Sequence, residues 1–358
     1  MLFNPEPKKN RKDLYDFEEE LNMLRRYIGQ PLVVVTGLRR TGKTSLILTA
    51  LEESSTPYVF FDLRTVMKSR RELYSLISHE LTNFLSRTSR QRRLYERVVK
   101  FLKLVRGVSI SGVTIELSWG DSRPLLSEVF TALNEVGEEE DMKIIIVFDE
   151  FQKAFGHASI MLQNVIAYSY DHLRNLSFIV SGSEMGVLYR FFKDPEAPLY
   201  GRAYLEVKTR RLTREEVVDF LLRGFEEAGC RVSESEIEEV VSRLDGIIGW
   251  LTYYGYLRIM HSRNLEEIWR EAVQLAKHEL ENFLNYRVSR RRYKAVLKLL
   301  SQGVRNWSML KTKLENLEGK IQSDRVLYDI LHTLRKHSII DEQNRFLDPL
   351  MEEAARIL

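Results

Sequence analysis

One loop rich in glycine and basic residues constrains this chain more than any other stretch. Residues 37–44 read Gly-Leu-Arg-Arg-Thr-Gly-Lys-Thr, which fits the pattern G-x-x-x-x-G-K-[ST]. A β-branched apolar run before the loop predicts a buried strand, and the apolar-periodic segment after it predicts a helix. Because the pattern needs this order of strand, loop and helix, a chance match is disfavoured. The sequence therefore predicts an α/β fold with a phosphate-binding loop.

The residue types in this loop suit a nucleotide. Gly37 and Gly42 allow a positive φ, so that successive backbone N–H groups can point at phosphate oxygens in front of a helix N-terminus. Lys43 can reach the β- and γ-phosphates, and the Thr44 hydroxyl can coordinate Mg²⁺. The predicted cofactor-binding residues are Gly37, Arg39, Arg40, Thr41, Gly42, Lys43, Thr44 and Ser45.

The composition limits the class of protein. The 358 residues allow two or three domains, and 44% hydrophobic with 29% charged residues indicate a folded chain rather than a disordered one. The single cysteine, Cys230, excludes an internal disulfide, and the seven histidines lack the spacing of zinc ligands. The N-terminus lacks the pattern of a signal peptide, and the aliphatic runs are shorter than a membrane span. We therefore expect a soluble cytoplasmic protein without membrane contact.

A second apolar run ends in two carboxylates. Residues 143–149 predict a central parallel strand, after which Asp149 and Glu150 lie at the edge where open α/β sheets bind ligands. Asp149 suits a Mg²⁺ ligand opposite Thr44, and Glu150 suits a base that orients water against the γ-phosphate. The carboxylate of Glu150 favours hydrolysis over transfer of the phosphoryl group to a small molecule.

Three further residues are candidates with two interpretations each. The strand predicted over residues 177–183 ends in Ser181 and Ser183, which either sense the γ-phosphate and hold water or only form a turn. Arg202 follows Gly201 after the last elements of the predicted core. It either pairs with the nucleotide, in its own or a neighbouring subunit, or forms a surface ion pair.

The overall pattern divides the chain into three predicted domains. Residues 1–208 form the predicted nucleotide-binding core, with a basic helix and a β-hairpin inserted at about residues 86–118. Residues 209–284 have helical periodicity broken at glycines and predict a small helical domain. Residues 285–358 show three helical segments followed by a short hairpin pattern, which predicts a winged helix.

Two basic runs stand out from the nearly neutral net charge of +3. A helical stretch is predicted over residues 68–106, and its second half, residues 86–106, contains eight Lys or Arg and one acid. It is either a solvated face or a docking surface for an acidic partner or nucleic acid. Residues 285–313 contain nine Lys or Arg and no acid, so the winged helix contacts either duplex DNA or another protein.

In this order, the motifs resemble the archaeal ATPase family of the STAND class of P-loop NTPases (signal-transduction ATPases with numerous domains). The segments that carry the resemblance are residues 37–46, Val147-Phe148-Asp149-Glu150-Phe151-Gln152, Ser181-Gly182-Ser183 and Pro198-Leu199-Tyr200-Gly201-Arg202. The resemblance covers most of the chain. It implies an ASCE-type parallel sheet, in which the strand carrying the serines separates the other two strands of the site, with a helical lid and a winged helix. Initiator-like AAA+ relatives share this plan.

The resemblance also implies a function. It points to ATP or ADP with Mg²⁺ as cofactors, and to slow ATP hydrolysis coupled to domain rearrangement. The chain departs from the family pattern at Ile248, which stands where relatives commonly carry the proline of a Gly-x-Pro turn that faces the nucleotide.

A second hypothesis is an ATP-controlled DNA-binding protein, initiator-like or from a mobile element, acting through residues 285–345. A third is a protein that holds ADP without turnover. A protein partner and an oligomer stay open in each.

Overall fold

A five-stranded parallel sheet forms the centre of the N-terminal part of the chain. The computed structural model describes residues 1–64, 69–319 and 323–358; residue 68 of the predicted helix and residues 320–322 of the predicted winged helix lie outside these ranges. The elements of the N-terminal part are α1 (Glu18–Tyr27), β1 (Leu32–Thr36), α2 (Lys43–Ser54), β2 (Tyr58–Asp62), α3 (Arg70–Thr88), α4 (Arg92–Leu102), β3 (Val108–Ser111), β4 (Thr114–Leu117), α5 (Leu126–Glu139), β5 (Ile144–Asp149), α6 (Gly156–His172), β6 (Leu176–Gly182), α7 (Met185–Lys193) and β7 (Leu205–Lys208).

The strand order brings the predicted motifs together. The sheet runs β2-β5-β6-β1-β7, and each pair of neighbouring strands is parallel. Strand β6, which carries Ser181, therefore lies between β1, which leads into the phosphate loop, and β5, which ends at Asp149. This is the order that the resemblance implies. The C-terminal ends of all three strands meet at one edge of the sheet, where open α/β folds bind ligands.

Successive side chains of the central strands point to opposite faces of the sheet and belong to two hydrophobic cores, one on each face. Val33 and Val35 of β1 belong to the cluster that α1 and α2 cover, whereas Val34 belongs to the cluster under α3, α5 and α6. Strands β1, β5 and β6 are buried over their whole length. Because both faces are covered, these strands read as continuous aliphatic runs, which is why the sequence predicts them well.

The inserted segment forms two helices and a hairpin. Strands β3 and β4 pair antiparallel, as predicted. The stretch predicted to be helical over residues 68–106 contains two helices with a break at residues 89–91, because α3 packs on β2 and β4 while α4 packs on α5. The basic face of α4 lies along the acidic end of α5. The ion pairs are Arg93–Glu140 at 2.8 Å, Arg97–Glu139 at 2.7 Å and Lys100–Glu139 at 2.5 Å. Much of this basic charge is thus neutralised inside the chain.

The remainder of the chain is helical. Its elements are α8 (Arg214–Glu227), α9 (Glu234–Leu244), α10 (Ile248–Met260), α11 (Leu265–Asn285), α12 (Arg290–Ser301), α13 (Trp307–Glu318), α14 (Asp324–Lys336) and α15 (Pro349–Arg356). Helices α12 to α14 are followed by a short wing, in which Ile340 and Phe346 form an antiparallel bridge. The winged-helix prediction is confirmed. Helix α15 was not predicted; Asp348 caps it by accepting the Leu350 N–H at 2.9 Å.

The helices from α8 to α15 share one hydrophobic core. Buried side chains of α10 and α11 belong to the same cluster as those of α12, α14 and α15, and α15 packs directly on α11. The segments on the two sides of the predicted boundary between residues 284 and 285 thus differ in sequence pattern but contribute to the same hydrophobic core. Among the described residues, no helix has both the length and the apolar composition needed to cross a bilayer.

Candidate functional site

The phosphate loop makes a tight turn between β1 and α2. Gly37 and Gly42 have φ values of 147° and 83°, a region that favours glycine. A Cβ on Gly37 would lie 2.0 Å from Oγ1 of Thr209, the residue after β7. The Thr209 hydroxyl also contacts Thr41 Oγ1 at 2.7 Å. The loop is therefore braced by a threonine that the sequence analysis did not single out, since it lies far along the chain.

Lys43 lies buried beneath the loop. Its ammonium group donates to Leu38 O at 2.7 Å and to Gly37 O at 3.1 Å, and only 4% of the residue is exposed. Burial lowers the pKa of Lys43, while the nearby charges of Glu150 and Asp149 oppose this shift. An ammonium held by two neutral carbonyls can exchange them for phosphate oxygens, which accept stronger, charge-assisted hydrogen bonds.

Asp149 joins the first turn of α2 to strand β6. Thr44 Oγ1 donates to Asp149 Oδ2 at 2.8 Å, and the Ser181 hydroxyl donates to Asp149 Oδ1. Asp149 is fully buried. Burial raises the pKa of its carboxyl group, an effect that the hydrogen bonds from Ser181 and Thr44 oppose. The predicted metal-binding pair is thus in direct contact.

The oxygen atoms of Thr44 and Asp149 fit Mg²⁺. This ion prefers hard oxygen ligands and commonly takes one or two from the protein, with waters and substrate phosphates completing the shell. Among the described ranges of the chain, no group of three or more His, Cys, Asp or Glu side chains is arranged to hold a metal. The residues therefore suit an ion shared with a bound nucleotide and do not form a closed protein site.

Glu150 lies in a triangle of hydrogen bonds beside Asp149. It has a φ of 55° and precedes a 3₁₀ turn formed by Phe151–Lys153. Glu150 Oε2 accepts from Ser183 Oγ at 2.9 Å and from Gln152 Nε2 at 2.5 Å. Gln152 Nε2 also donates to Ser183 Oγ at 3.1 Å. Ser181 accepts the backbone N–H of Glu150 at 3.1 Å, so that Ser181 contacts both Asp149 and Glu150, whereas Ser183 contacts Glu150.

The two arginines of the phosphate loop contact the helical domain. Arg39 and Arg40 both pair with Glu279 of α11, at 2.9 and 2.5 Å. The guanidinium of Arg40 also lies 3.9 Å above the ring of Trp250 on α10, and Arg40 O accepts the N–H of Gly249 at 2.9 Å. Helices α10 and α11 therefore hold the loop at two points, although Ile248 replaces the proline expected there.

Most of these groups, but not the buried Asp149 and Ser181, line one cavity of about 980 Å³ between the sheet and the helices. Its walls come from the N-terminal segment, the phosphate loop, α10, α11 and residues 336–339. The predicted site residues on the wall are Arg39, Arg40, Gly42, Lys43, Thr44, Ser45, Glu150 and Ser183. Ser45 also fixes the N-terminal segment, because its Oγ accepts the Lys8 N–H at 3.0 Å.

Arg202 is not brought to this cavity within the chain. It pairs with Asp171 of α6 at 2.5 Å and donates to Pro198 O at 2.5 Å. It does not belong to the cavity wall. The surface ion pair weighed in the sequence analysis is therefore present, and nothing in this arrangement directs Arg202 toward Lys43.

The fold and the loop define a class. Three features are typical of a P-loop ATPase. These are the parallel sheet with β6 between β1 and β5, the glycine-lysine loop before α2, and the C-terminal winged helix. Residues 14–253 match the family described as ATPase domain predominantly from Archaea, and residues 287–346 match the MCM protein C-terminal winged helix-turn-helix domain. The chain belongs to this archaeal ATPase family.

The chain is similar to several solved structures. The Walker-type ATPase PABY2304 of Pyrococcus abyssi is 33% identical, with a TM-score of 0.81 over 99% of this chain and 100% of that one. Cdc6p from Pyrobaculum aerophilum is 14% identical, with a TM-score of 0.46 over 99% and 96% of the two chains. The Aeropyrum pernix ORC1 protein, solved in complex with DNA, is 14% identical, with a TM-score of 0.44 over 96% and 92%. No curated protein matches.

Proposed function

We propose that this chain is a Mg²⁺-dependent ATPase that works as a nucleotide-driven conformational switch, of the STAND class and the AAA+-like plan. Lys43 and the amides of residues 39–45 bind the phosphates of ATP. Thr44 and Asp149 hold Mg²⁺, which supplies positive charge against the β- and γ-phosphates. These roles are supported by the Thr44–Asp149 contact of 2.8 Å next to a buried lysine.

The remaining site residues act on water and on the γ-phosphate. Glu150 accepts a hydrogen bond from the attacking water and takes its proton as the new O–P bond forms and the bond between the γ-phosphorus and the bridging oxygen breaks, which releases ADP and phosphate. Ser181 or Ser183 senses the γ-phosphate, since both lie beside the two carboxylates. For Arg202 we propose a charge-stabilising role toward the nucleotide of a neighbouring copy, or of its own chain once the Asp171 pair opens.

The observation that carries the switch is the ion pairing of Arg39 and Arg40 with Glu279. These arginines belong to the loop that binds phosphates, whereas Glu279 belongs to α11, whose buried face is part of the winged-helix core. Bound phosphates compete with the carboxylate for the same guanidinium groups. Nucleotide binding therefore has a direct route to the position of the helical domains.

The first test is phosphate release from Mg-ATP by the wild type and by Glu150→Gln. The variant keeps the hydrogen-bonding shape of the side chain but cannot accept the water proton, so we expect turnover to fall roughly 100-fold or more. Glu135→Gln on α5, at a residue that does not line the cavity, is the matched control, and we expect it to keep wild-type turnover. Equal rates in the wild type and in Glu150→Gln would contradict the hydrolysis mechanism and favour a protein that holds nucleotide without turnover.

A second function, ATP-controlled DNA binding, is favoured by the match of residues 287–346 to a winged helix-turn-helix domain. On α12, Arg290, Arg291 and Lys294 are exposed. Other members of the basic run are paired: Arg292 lies 3.0 Å from Glu318, and Lys311 lies 2.9 Å from Asp324. The exposed cations of α12 are therefore available for backbone phosphates, as are the exposed Arg305 and Lys313.

The test measures duplex DNA binding by anisotropy across a salt series. Each phosphate contact contributes about −0.9 to the slope of log K against log salt. Replacing Arg290, Arg291 and Lys294 with Ala should flatten the slope by about 2 to 3, whereas Arg70→Ala with Arg71→Ala on α3 should leave it unchanged. Binding that is absent or insensitive to salt would favour a protein partner for the winged helix.

A further inference from the structure

Gln152 is a buried side chain next to the proposed base that the mechanism above does not use. It follows Glu150 by two residues and lies within the 3₁₀ turn, with 4% of its surface exposed. The Nε2 group donates to Glu150 Oε2 at 2.5 Å and to Ser183 Oγ at 3.1 Å. A buried amide that bridges these two groups is placed to control their geometry.

The orientation of the amide follows from charge. A carboxylate oxygen accepts hydrogen bonds, so the group of Gln152 that faces Glu150 has to be the NH₂ and not the carbonyl. Its Oε1 then points toward Gly182, where a Cβ would lie only 2.6 Å from it. This oxygen is buried and has no hydrogen-bond partner among the described residues. The orientation that directs the NH₂ group of Gln152 to Glu150 therefore leaves the carbonyl oxygen of Gln152 buried and unsatisfied, which has a cost in free energy.

We propose that Gln152 is a positioning residue for ATP hydrolysis. This inference rests on the proposed function, because it assigns to Gln152 the task of orienting Glu150 as the base. Two donors, Gln152 Nε2 and Ser183 Oγ, fix one oxygen of the carboxylate. The second oxygen is then left in a defined direction at the cavity wall, to which Glu150 belongs. Without the amide, the carboxylate can rotate about its terminal torsion, which is broad for glutamate.

The bridge also links the base to the proposed sensor. Ser183 accepts from Gln152 and donates to Glu150, so that a shift of the serine toward a γ-phosphate changes both contacts of Glu150 Oε2. The sequence motif places Gln152 at the second position after Glu150, which brings its amide back to the carboxylate across a single 3₁₀ turn. Gln152 therefore adjusts the alignment of Glu150 when Ser183 responds to the nucleotide.

The test is steady-state ATP hydrolysis by Gln152→Met, which keeps the size and the flexibility of the side chain but removes the amide. Misalignment of a catalytic group by about 1 Å costs roughly 100-fold in rate, so we expect kcat to fall roughly 10- to 100-fold. The KM for Mg-ATP should change by less than about threefold, since Gln152 is not placed on the phosphates. The melting temperature should be unchanged or higher, because the unsatisfied carbonyl is removed.

Gln163→Met is the matched control. Gln163 on α6 is also buried and donates to a serine (Ser159, at 3.0 Å). Its Oε1 has no partner within the described part of the chain, and the residue does not line the cavity. Its replacement should leave kcat unchanged. Gln152→Asn, whose amide is one methylene shorter, should restore part of the rate only if the amide itself is what matters.

A double-mutant cycle separates this proposal from the proposed function. In a Glu150→Gln background there is no carboxylate to orient, so Gln152→Met should lower kcat no further. If Glu150→Gln has no effect, the proposed function itself fails. If Glu150→Gln abolishes turnover while Gln152→Met keeps the wild-type kcat, or raises it, only the positioning role of Gln152 is overturned.

Discussion

Glu184, the residue after the proposed sensor Ser183, is the point where the ATPase sheet meets the winged helix. Its Oε1 lies 2.5 Å from Lys153 Nζ, and its Oε2 lies 2.5 Å from His337 Nδ1 at the end of α14. Burial raises the pKa of the Glu184 carboxyl group, but the hydrogen bond from His337 and the charge of Lys153 outweigh it and lower the pKa to about 2. Glu184 thus joins the two parts of the chain through an ion pair with Lys153 and a hydrogen bond with His337.

The low pKa of Glu184 predicts how the free energy of unfolding depends on pH in the acid range. Because the folded pKa of about 2 lies below the reference value of 4.5, the ionised group stabilises the fold fully above pH 4.5. This contribution is lost as the pH falls toward 2. The shift corresponds to about 3 kcal/mol, so Glu184→Gln should lower the free energy of unfolding by about 2 to 3 kcal/mol at pH 7. Urea titrations of both proteins between pH 7 and pH 2.5 would measure this.

The difference between the two proteins should shrink below pH 4.5. Glu196→Gln, at an exposed position nearby, is the control and should differ little from the wild type at any pH. A difference for Glu184→Gln that stays constant from pH 7 to pH 2.5 would contradict the ion pair.

At the residue scale, the sequence predicts those site residues that belong to a motif of neighbouring positions. Lys43 and Thr44 belong to one local pattern, and Asp149 ends an aliphatic run whose edge of the sheet is known once the strand is assigned. Glu279 could not be predicted in the same way. Its partners are 239 and 240 positions away along the chain, and α11 offers several other acidic residues with the same local pattern. Only the tertiary packing selects Glu279.

At the element scale, helices α8 and α10 close around a residue from the far N-terminus. Phe3 is fully buried, and its ring packs edge-on against Phe220 and Phe225 of α8. A Cβ on Gly224 or on Gly255 would lie 2.2 or 2.4 Å from that ring. The two glycines therefore form the space that the ring fills, and the N-terminal segment, which also lines the cavity, is fastened to the helical domain.

Removing this ring should destabilise the fold. Phe3→Ala leaves a cavity between α8 and α10, and we expect a loss of about 3 to 5 kcal/mol in the free energy of unfolding. Gly255→Ala should lose about 1 to 3 kcal/mol, because the ring would have to move. Leu2→Ala, one residue earlier and only partly buried, serves as the control in chemical denaturation. A loss below about 1 kcal/mol for Phe3→Ala would show that the segment is not fastened in this way.

The sequence predicts those helices and strands whose local pattern of apolar residues identifies them. Strands β1, β2, β5 and β6 and the hairpin follow from aliphatic runs and alternation, whereas β7 was not predicted. The break between α3 and α4 was not predicted, because residues 89–91 contain neither proline nor glycine. It arises because α4 turns to meet the acidic end of α5, a contact that is more than 35 positions distant. Helix α7, next to the sensor strand, was not predicted either.

At the scale of the whole molecule, the phosphate loop is tied to a core shared by the helical and winged-helix segments. Arg40 lies on Trp250, and Trp250 Nε1 donates to Asp348 Oδ2 at 3.0 Å, just before α15. Arg39 and Arg40 reach Glu279 on α11, which packs on α15. Both routes run from the loop to the last helix of the chain. The phosphate loop is therefore in contact with helices that share one hydrophobic core.

This connection leads to a prediction about nucleotide affinity. Glu279 pairs with both arginines, and 13% of its side chain is exposed, so phosphates that bind the arginines have to displace a partly buried carboxylate. Glu279→Gln removes the competing charge, and we expect the Kd for Mg-ATP to fall roughly 10-fold, equivalent to about 1.4 kcal/mol. The protein without nucleotide should melt at a lower temperature, and the increase on adding ATP should be larger than in the wild type.

Glu281→Gln, two positions further along α11, is the matched control and should change neither quantity. Isothermal titration and thermal melts with and without Mg-ATP measure both. A weaker affinity in Glu279→Gln would mean that the carboxylate holds the arginines in the geometry that binds phosphate. In that case the lid would assist nucleotide binding, and the competition on which the switch rests would be absent.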